Sequence, residues 1–298
     1  MNTSRGTFGI VLGFAGMCLF AGTLPATRLA VADFDPWLLT SARAMLAGLA
    51  GVIVLLATRR RLPPRSAWIE IVCAGVCMVI GFPLFAALAM VTVPASHGGV
   101  VLGILPLATA VAATQFAHER PSIGFWVASI AGAAIVLAFV FRTNGSETLS
   151  AGDLFLLGVV VSGALGYTLS GRLTASMPGW EVISWQVALF LPLAAVITVL
   201  LWPANLPRVT DVSWVGLAYV GLVSQFTAFF VFNAALAMGG IARVGQIMLL
   251  QPFFVVALAA PVNHERISIE TIVFAAAVVA TVLIGQRMRV TRSWADKA

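Results

Sequence analysis

Apolar residues in this chain come in blocks of about 20, separated by short polar punctuation, and not in the alternation of a half-buried strand. A helix needs about 20 mostly apolar residues to cross the hydrocarbon of a bilayer. Ten runs meet that length: 7–29, 36–57, 66–91, 95–116, 122–141, 152–173, 179–202, 211–238, 241–262 and 268–287. Between them stand turn and breaker residues, among them Asp33-Phe34-Asp35-Pro36, Pro63-Pro64, Val93-Pro94, Met177-Pro178-Gly179 and Gly239-Gly240. No gap is long enough for a separate extramembrane domain. The pattern predicts an all-α integral membrane protein with ten transmembrane helices.

The runs repeat. Ala95–Arg120 is echoed by Ile241–Arg266: Gly99 with Gly245, Pro106 with Pro252, His118-Glu119-Arg120 with His264-Glu265-Arg266, and Ser122-Ile123 with Ser268-Ile269. Upstream, Ala86-Ala87-Leu88-Ala89-Met90 returns as Ala234-Ala235-Leu236-Ala237-Met238, and Gly22-(x)5-Arg28 returns as Gly166-(x)5-Arg172. The chain reads as two five-helix repeats, 1–148 and 149–298. Because five is odd, the second copy starts from the opposite side of the membrane, which makes the repeats inverted. Two inverted copies can exchange conformations and move an opening from one face to the other, the geometry of alternating access.

Composition agrees with a lipid solvent. The chain is 60% hydrophobic and 9% charged, against roughly 25% charged in soluble domains. Its net charge of +6 comes from 17 Lys+Arg against 11 Asp+Glu. These charges are scattered between apolar runs, which argues against nucleic acid and for lipid headgroups and topology signals. With the N-terminus inside, the inner segments hold Arg5, Arg59, Arg60, Arg61, Arg65, Arg120, Arg172, Arg243, Arg287, Arg289, Arg292 and Lys297, while the outer ones hold only Arg28, Arg142, Arg208 and Arg266. That bias places both termini in the cytoplasm. The first run resembles a signal peptide in following Arg5, but its Gly-(x)5-Arg end belongs to the repeat, so the run is expected to stay. Cys18, Cys73 and Cys77 lie inside apolar runs and are expected to be small buried residues; four metal ligands do not assemble around them. No metal and no cofactor is expected.

The two-unit pattern carried by Ala86–Met90 with Ala95–Glu119, and by Ala234–Met238 with Ile241–Glu265, resembles the drug/metabolite transporter superfamily in its EamA-type branch. The resemblance spans nearly the whole chain, and its motifs mark scaffold and not solute. It implies a carrier of the bacterial inner membrane, usually an exporter of amino acids or other small metabolites. A narrower likeness, to the aromatic amino acid exporters of this group, rests on overall pattern.

Candidate pathway residues are polar groups deep in apolar runs, since each needs a partner there. In the eighth run Gln225, Phe229 and Asn233 fall on one helical stripe. The sixth run offers Ser162 with Tyr167 beside its stripe, and the first offers Thr23. Gln246 and Gln251 precede Pro252, and Phe82 and Phe85 supply aromatic surface around Pro83. Pro106 and Pro252 each withhold an N–H and free a carbonyl one turn back. Arg43 is the one charge well inside a run, at a cost of about 2.5–3.5 kcal/mol on insertion scales. It reads equally as scaffold or as function, and is grouped with Pro106, Pro252, Glu119 and Glu265 as gating or structural. His97 is expected to be a helix-end residue, and the Glu119–Arg120 and Glu265–Arg266 neighbours to be surface pairs or latches.

No Asp or Glu falls in the middle of any run. Proton-driven carriers usually hold such a carboxylate, so the expectation is a facilitative carrier of small neutral or zwitterionic solutes. The partners expected are a small-molecule substrate and membrane lipids, with oligomeric state open. A membrane-embedded enzyme would need a nucleophile, base or metal set that the three separated histidines do not provide. A sensor, a lipid carrier, and a nucleotide-sugar or triose-phosphate carrier with several buried cations are the other readings.

Overall fold

The computed structural model describes residues 3–116, 119–144, 150–174, 176–203, 209–239, 250–287 and 290–292. The described chain is helical apart from two three-residue strands. The first half holds α1 (Thr3–Ala21), α2 (Thr23–Ala30), α3 (Pro36–Ala57), α4 (Trp68–Gly75), a π-helical segment (Val76–Gly81), α5 (Phe82–Thr92), α6 (Ala95–Leu102), α7 (Leu105–Phe116) and α8 (Ile123–Asn144). The second holds α9 (Ala151–Leu173), α10 (Gly179–Leu201), α11 (Asp211–Ala218), a second π segment (Tyr219–Thr227), α12 (Ala228–Gly239), α13 (Gln251–Asn263) and α14 (Ile269–Arg287). Strands β1 (Glu119–Pro121) and β2 (Val290–Arg292) pair antiparallel, with Glu119 opposite Arg292.

Among the described residues, six helical spans are long and apolar enough to cross a membrane: Phe8–Ala30, Pro36–Ala57, Arg65–Thr92, Ala151–Leu173, Gly179–Leu201 and Asp211–Ala235. Ala95–Leu102 and Leu107–Phe116 form a pair bent by 42°, and Trp126–Arg142, Gln251–Asn263 and Ile269–Thr281 are shorter apolar helices. Large apolar side chains face outward along these spans, with Ile69 75%, Leu200 76% and Val199 73% exposed. A water-soluble surface does not carry an apolar belt of that extent. The chain is a multi-pass membrane protein.

Sequence sets the helix ends. Asp35 caps α3 by accepting from the Trp37 and Leu38 N–H groups, with Pro36 in the first turn. Ser150 and Asp153 form a reciprocal capping box at α9. Thr210 caps α11, and its N–H and hydroxyl also donate to Asp33, tying two distant loops together.

Helix packing follows the sequence repeat. Helix α3 lies against α10, α6 against α13, and α8 against α14, each pair made of corresponding helices from the two halves. Helix α1 packs on α12, while its counterpart α9 packs on α4 and α5. Small residues permit these approaches in lipid, where van der Waals contact replaces the hydrophobic drive. Gly22 and Gly166, matched in the sequence repeat, are the clearest cases. A Cβ on Gly22 would run into the Tyr219 hydroxyl, and one on Gly166 into the Met78 sulfur. The arginine six residues on caps helix-end carbonyls in each half: Arg28 donates to Met90 O and Val93 O, and Arg172 to Phe116 O. The Gly-(x)5-Arg motif therefore encodes a close helix crossing followed by an anchored end.

Both π segments lie in corresponding helices, the third run and the eighth. In the first, the Phe82 N–H reaches back five residues to the Cys77 carbonyl. The next residue, Pro83, has no N–H to give, so the Met78 carbonyl receives nothing from that register. The cysteines depart from expectation. Cys73 is exposed on the outer surface of its helix, and Cys18 and Cys77 are half-buried, with Cys77 close to Gly166 of α9.

Candidate functional site

Both halves contribute to one narrow cavity between the helices, with free space of ≈ 20 Å³. That is room for a water or two and not for a metabolite, so this conformation is a contracted one. Its apolar wall is aromatic: Phe20, Phe82 and Phe229 with the ring of Tyr167. Phe20 meets Phe229 edge to face at 4.8 Å, and Tyr167 lies 6.0 Å from Phe229. The polar groups are Thr23, Ser224, Gln225, Gln251 and Arg43. Leu102 and Leu105 border it at the break between α6 and α7, where Pro106 supplies no N–H to the Leu102 carbonyl.

Corresponding positions face each other here. Thr23 and Tyr167 each follow the paired glycine, and Leu105 and Gln251 each precede the paired proline. Thr23 Oγ1 and Ser224 Oγ are 2.7 Å apart, joining the halves directly.

Arg43 and Gln225 form the polar centre. Arg43 is 2% exposed and Gln225 2% exposed. Gln225 Nε2 donates to the Met78 carbonyl at 2.9 Å. A carbonyl only accepts, so the amide orientation is fixed, and its Oε1 accepts from Arg43 Nη2 at 2.8 Å. Arg43 Nε and Nη1 have no hydrogen-bond partner among the described residues. A buried guanidinium with one of its five donors engaged is far from satisfied.

The cavity therefore gathers Gln225, Phe229, Tyr167, Phe82, Gln251, Thr23 and Arg43. Three other candidates stand elsewhere. Asn233 Nδ2 donates to Gly179 O at 2.9 Å and holds α12 to the start of α10. Asn233 follows Phe229 by one turn of α12, and at that level the helix packs against Gly179 and does not line the cavity. Ser162 packs against Gly81, whose Cβ would lie 2.7 Å from its Oγ. Phe85 stacks on Phe155 at 6.5 Å and fills the space above Gly158. Gln246 and His118 lie outside the described residues, and of Pro106 and Glu119 only the backbone is described. Pro252 stands in the first turn of α13 and so frees no carbonyl within that helix.

Two charged clusters close the bundle ends. At one end Glu265, a surface latch in the sequence reading, is largely buried. Its two oxygens accept from the Ala95 and Ser96 N–H groups at 2.7 and 3.0 Å, and its charge suits the N-terminus of α6. Arg28 stands 3.6 Å away. His97 is not a simple helix end either. It is 2% exposed, and its Nε2 lies 2.8 Å from Asp153 Oδ1, which is itself 3% exposed. Sequence position placed both at helix starts, but the folded bundle covers those starts. At the other end Arg172 pairs with Glu70 at 2.6 Å and Arg60 with Glu181 at 3.6 Å, and Arg60 lies over the Trp180 ring.

The chain matches the EamA-like transporter family twice, over residues 7–141 and 150–285. It belongs to that family. Among curated proteins it is 39% identical over 285 residues to the Bacillus subtilis (strain 168) protein named uncharacterized transporter YdeK, covering 95% of this chain and 99% of that one. It is 27% identical over 222 residues to uncharacterized transporter YwfM of the same organism, 72% and 71% of the two chains. One solved structure superposes with a TM-score of 0.66 over 94% of this chain and 98% of its own, at 18% identity, a likeness of fold. This EamA-like protein is thus a membrane transporter by family, and its relatives are named as transporters and not as enzymes.

Proposed function

We propose that this chain carries small metabolites, neutral or zwitterionic ones such as amino acids, across the bacterial inner membrane by alternating access between two inverted five-helix repeats. The observation that carries the reading is a cavity lined by corresponding positions of both halves, with a separate charged closure at each end of the bundle.

Ten crossings with both termini cytoplasmic fit every contact between distant loops. Asp33 meets Thr210, Arg60 meets Glu181, Arg142 meets Glu270, Arg28 meets Glu265, and β1 meets β2. With ten crossings, an even number of spans separates the members of each pair, so every pair lies on one side of the membrane. The six long spans and the bent pair account for seven segments of this reading, and we take the three shorter apolar helices as the other three. A repeat boundary near residue 148 is part of the same proposal.

Facilitative movement is supported by the cavity's lining, in which no described residue is Asp or Glu. The buried Asp153 is already engaged by Ser150 and His97. Outward direction follows the resemblance to exporters. The test is counterflow with purified protein in proteoliposomes, against amino acids, nucleosides and quaternary amines. Counterflow of at least one small neutral or zwitterionic solute, insensitive to an imposed pH gradient, is expected. Folded protein that exchanges none of the panel would sink the transport reading, and flux driven by the pH gradient at equal solute concentrations would sink the facilitative one. Impermeant thiol labelling of cysteines at positions 145 and 298 is expected on opposite sides.

A further inference from the structure

The cavity is lined by a cation for which no described residue supplies a counterion. Arg43 reaches it from α3, and Gln225, its one side-chain hydrogen-bond partner among the described residues, is neutral. The other polar lining groups, Thr23, Ser224, Tyr167 and Gln251, are neutral as well. The nearest kind of structural explanation for a buried arginine is an ion pair, since removing a charge from water is repaid only by good pairing and full hydrogen bonding. Arg43 has neither: Nε and Nη1 are unpartnered.

The surroundings hold the guanidinium in one place. The Gln225 amide cannot turn over, because its nitrogen is committed to the Met78 carbonyl that Pro83 leaves open. Its oxygen therefore stays on Arg43 and fixes one donor. Arg43 lines the same cavity as the aromatic rings of Phe20, Phe82, Tyr167 and Phe229. Guanidinium donors match a carboxylate in geometry and charge, and rings suit the apolar body attached to it.

We infer that Arg43 is the anchor for a carboxylate on the transported solute, with Gln225 as its positioning residue. The inference rests on the transport reading and directs it to carboxylate-bearing solutes, zwitterionic or anionic, with an apolar or aromatic body. An amino acid and a plain organic acid share that carboxylate. They differ in the ammonium, for which the described lining offers no carboxylate.

The experiment separates these. Thermal shifts of the purified full-length protein are measured with acetate, phenylacetate, leucine and phenylalanine, and with the amides acetamide, phenylacetamide, leucinamide and phenylalaninamide. Stabilisation by carboxylates, tenfold or more stronger in apparent affinity than by their amides, is expected. It should be lost in Arg43→Gln and partly kept in Arg43→Lys. Phenylacetate stronger than phenylalanine assigns the site to organic-acid anions, and the reverse assigns it to amino acids; either order retains the anchor. Equal response to acids and amides in the unaltered protein overturns it, even should Arg43→Gln fail to fold. So does stabilisation by no carboxylate. Proteoliposome exchange of the same solutes keeps the two readings apart. Exchange of amides at the rate of acids removes the anchor and leaves transport standing. Arg43-dependent binding without exchange leaves the anchor and removes transport.

Discussion

Gln225 touches two groups that have little else to hold them, the Met78 carbonyl and the Arg43 guanidinium. Gln225→Ala removes both bonds, one of them to a charge, and a charged hydrogen bond is worth about 1.5–3 kcal/mol. A destabilisation of about 3 kcal/mol, together with loss of exchange, is expected from thermal melts and proteoliposome flux. Asn233→Ala removes one neutral bond at a helix start, about 1 kcal/mol, and should leave the exchange rate per folded molecule unchanged. Equal effects of the two substitutions on rate would put Asn233 back in the pathway. Gln225 and Tyr167 were legible in the sequence because a neutral polar group in an apolar run is conspicuous. Asn233 and Ser162 were equally conspicuous, yet they serve helix contacts, and periodicity alone does not say which neighbour a stripe faces. Arg43 was visible too, but its open donors and its place at the cavity exist only in the assembled bundle.

At the scale of single elements, the π segment Val76–Gly81, just before Pro83, is the informative one. An N–H at position 83 gives the Met78 carbonyl a local partner, in competition with Gln225. Pro83→Ala is therefore expected to keep the folded helix bundle while weakening solute-induced stabilisation several-fold. Wild-type stabilisation in that variant would mean that the proline is a packing residue only. The sequence exposes the proline but not the widened turn before it, since the 3.6-residue ruler used to read helices has no mark for one. Helix limits were read well where breaker and capping chemistry is local, as at Asp35-Pro36. Cys73 was misread because an apolar run says a residue avoids water, and both lipid and core satisfy that.

For the molecule as a whole, the two charged closures make a directional prediction. Glu265 binds two backbone N–H groups at the outer end of the proposed topology, and Glu70 binds Arg172 at the inner end. Arg172 and Glu70 are 43% and 28% exposed against 32% and 10% for Arg28 and Glu265, and exposed pairs contribute little. Glu265→Gln should raise labelling of a cysteine at position 23 by an impermeant maleimide added outside, by severalfold in a background lacking the three native cysteines. Glu70→Gln should have a smaller effect, seen from inside. Identical outside labelling in both variants would rule out the closures as gates. The doubled scaffold was readable from paired motifs, since duplicated sequence survives where glycine contacts and prolines constrain it. The burial of Glu265, His97 and Asp153 was not, because helix starts look exposed until other helices cover them.

The support for Gln225 is a main-chain oxygen, and every amino acid carries one. Replacement of Met78 can thus reshape the chamber without unseating the amide that steers Arg43. On the proposed anchor, descendants of this scaffold are free to trade one cargo shape for another at that site while keeping the same charged handle.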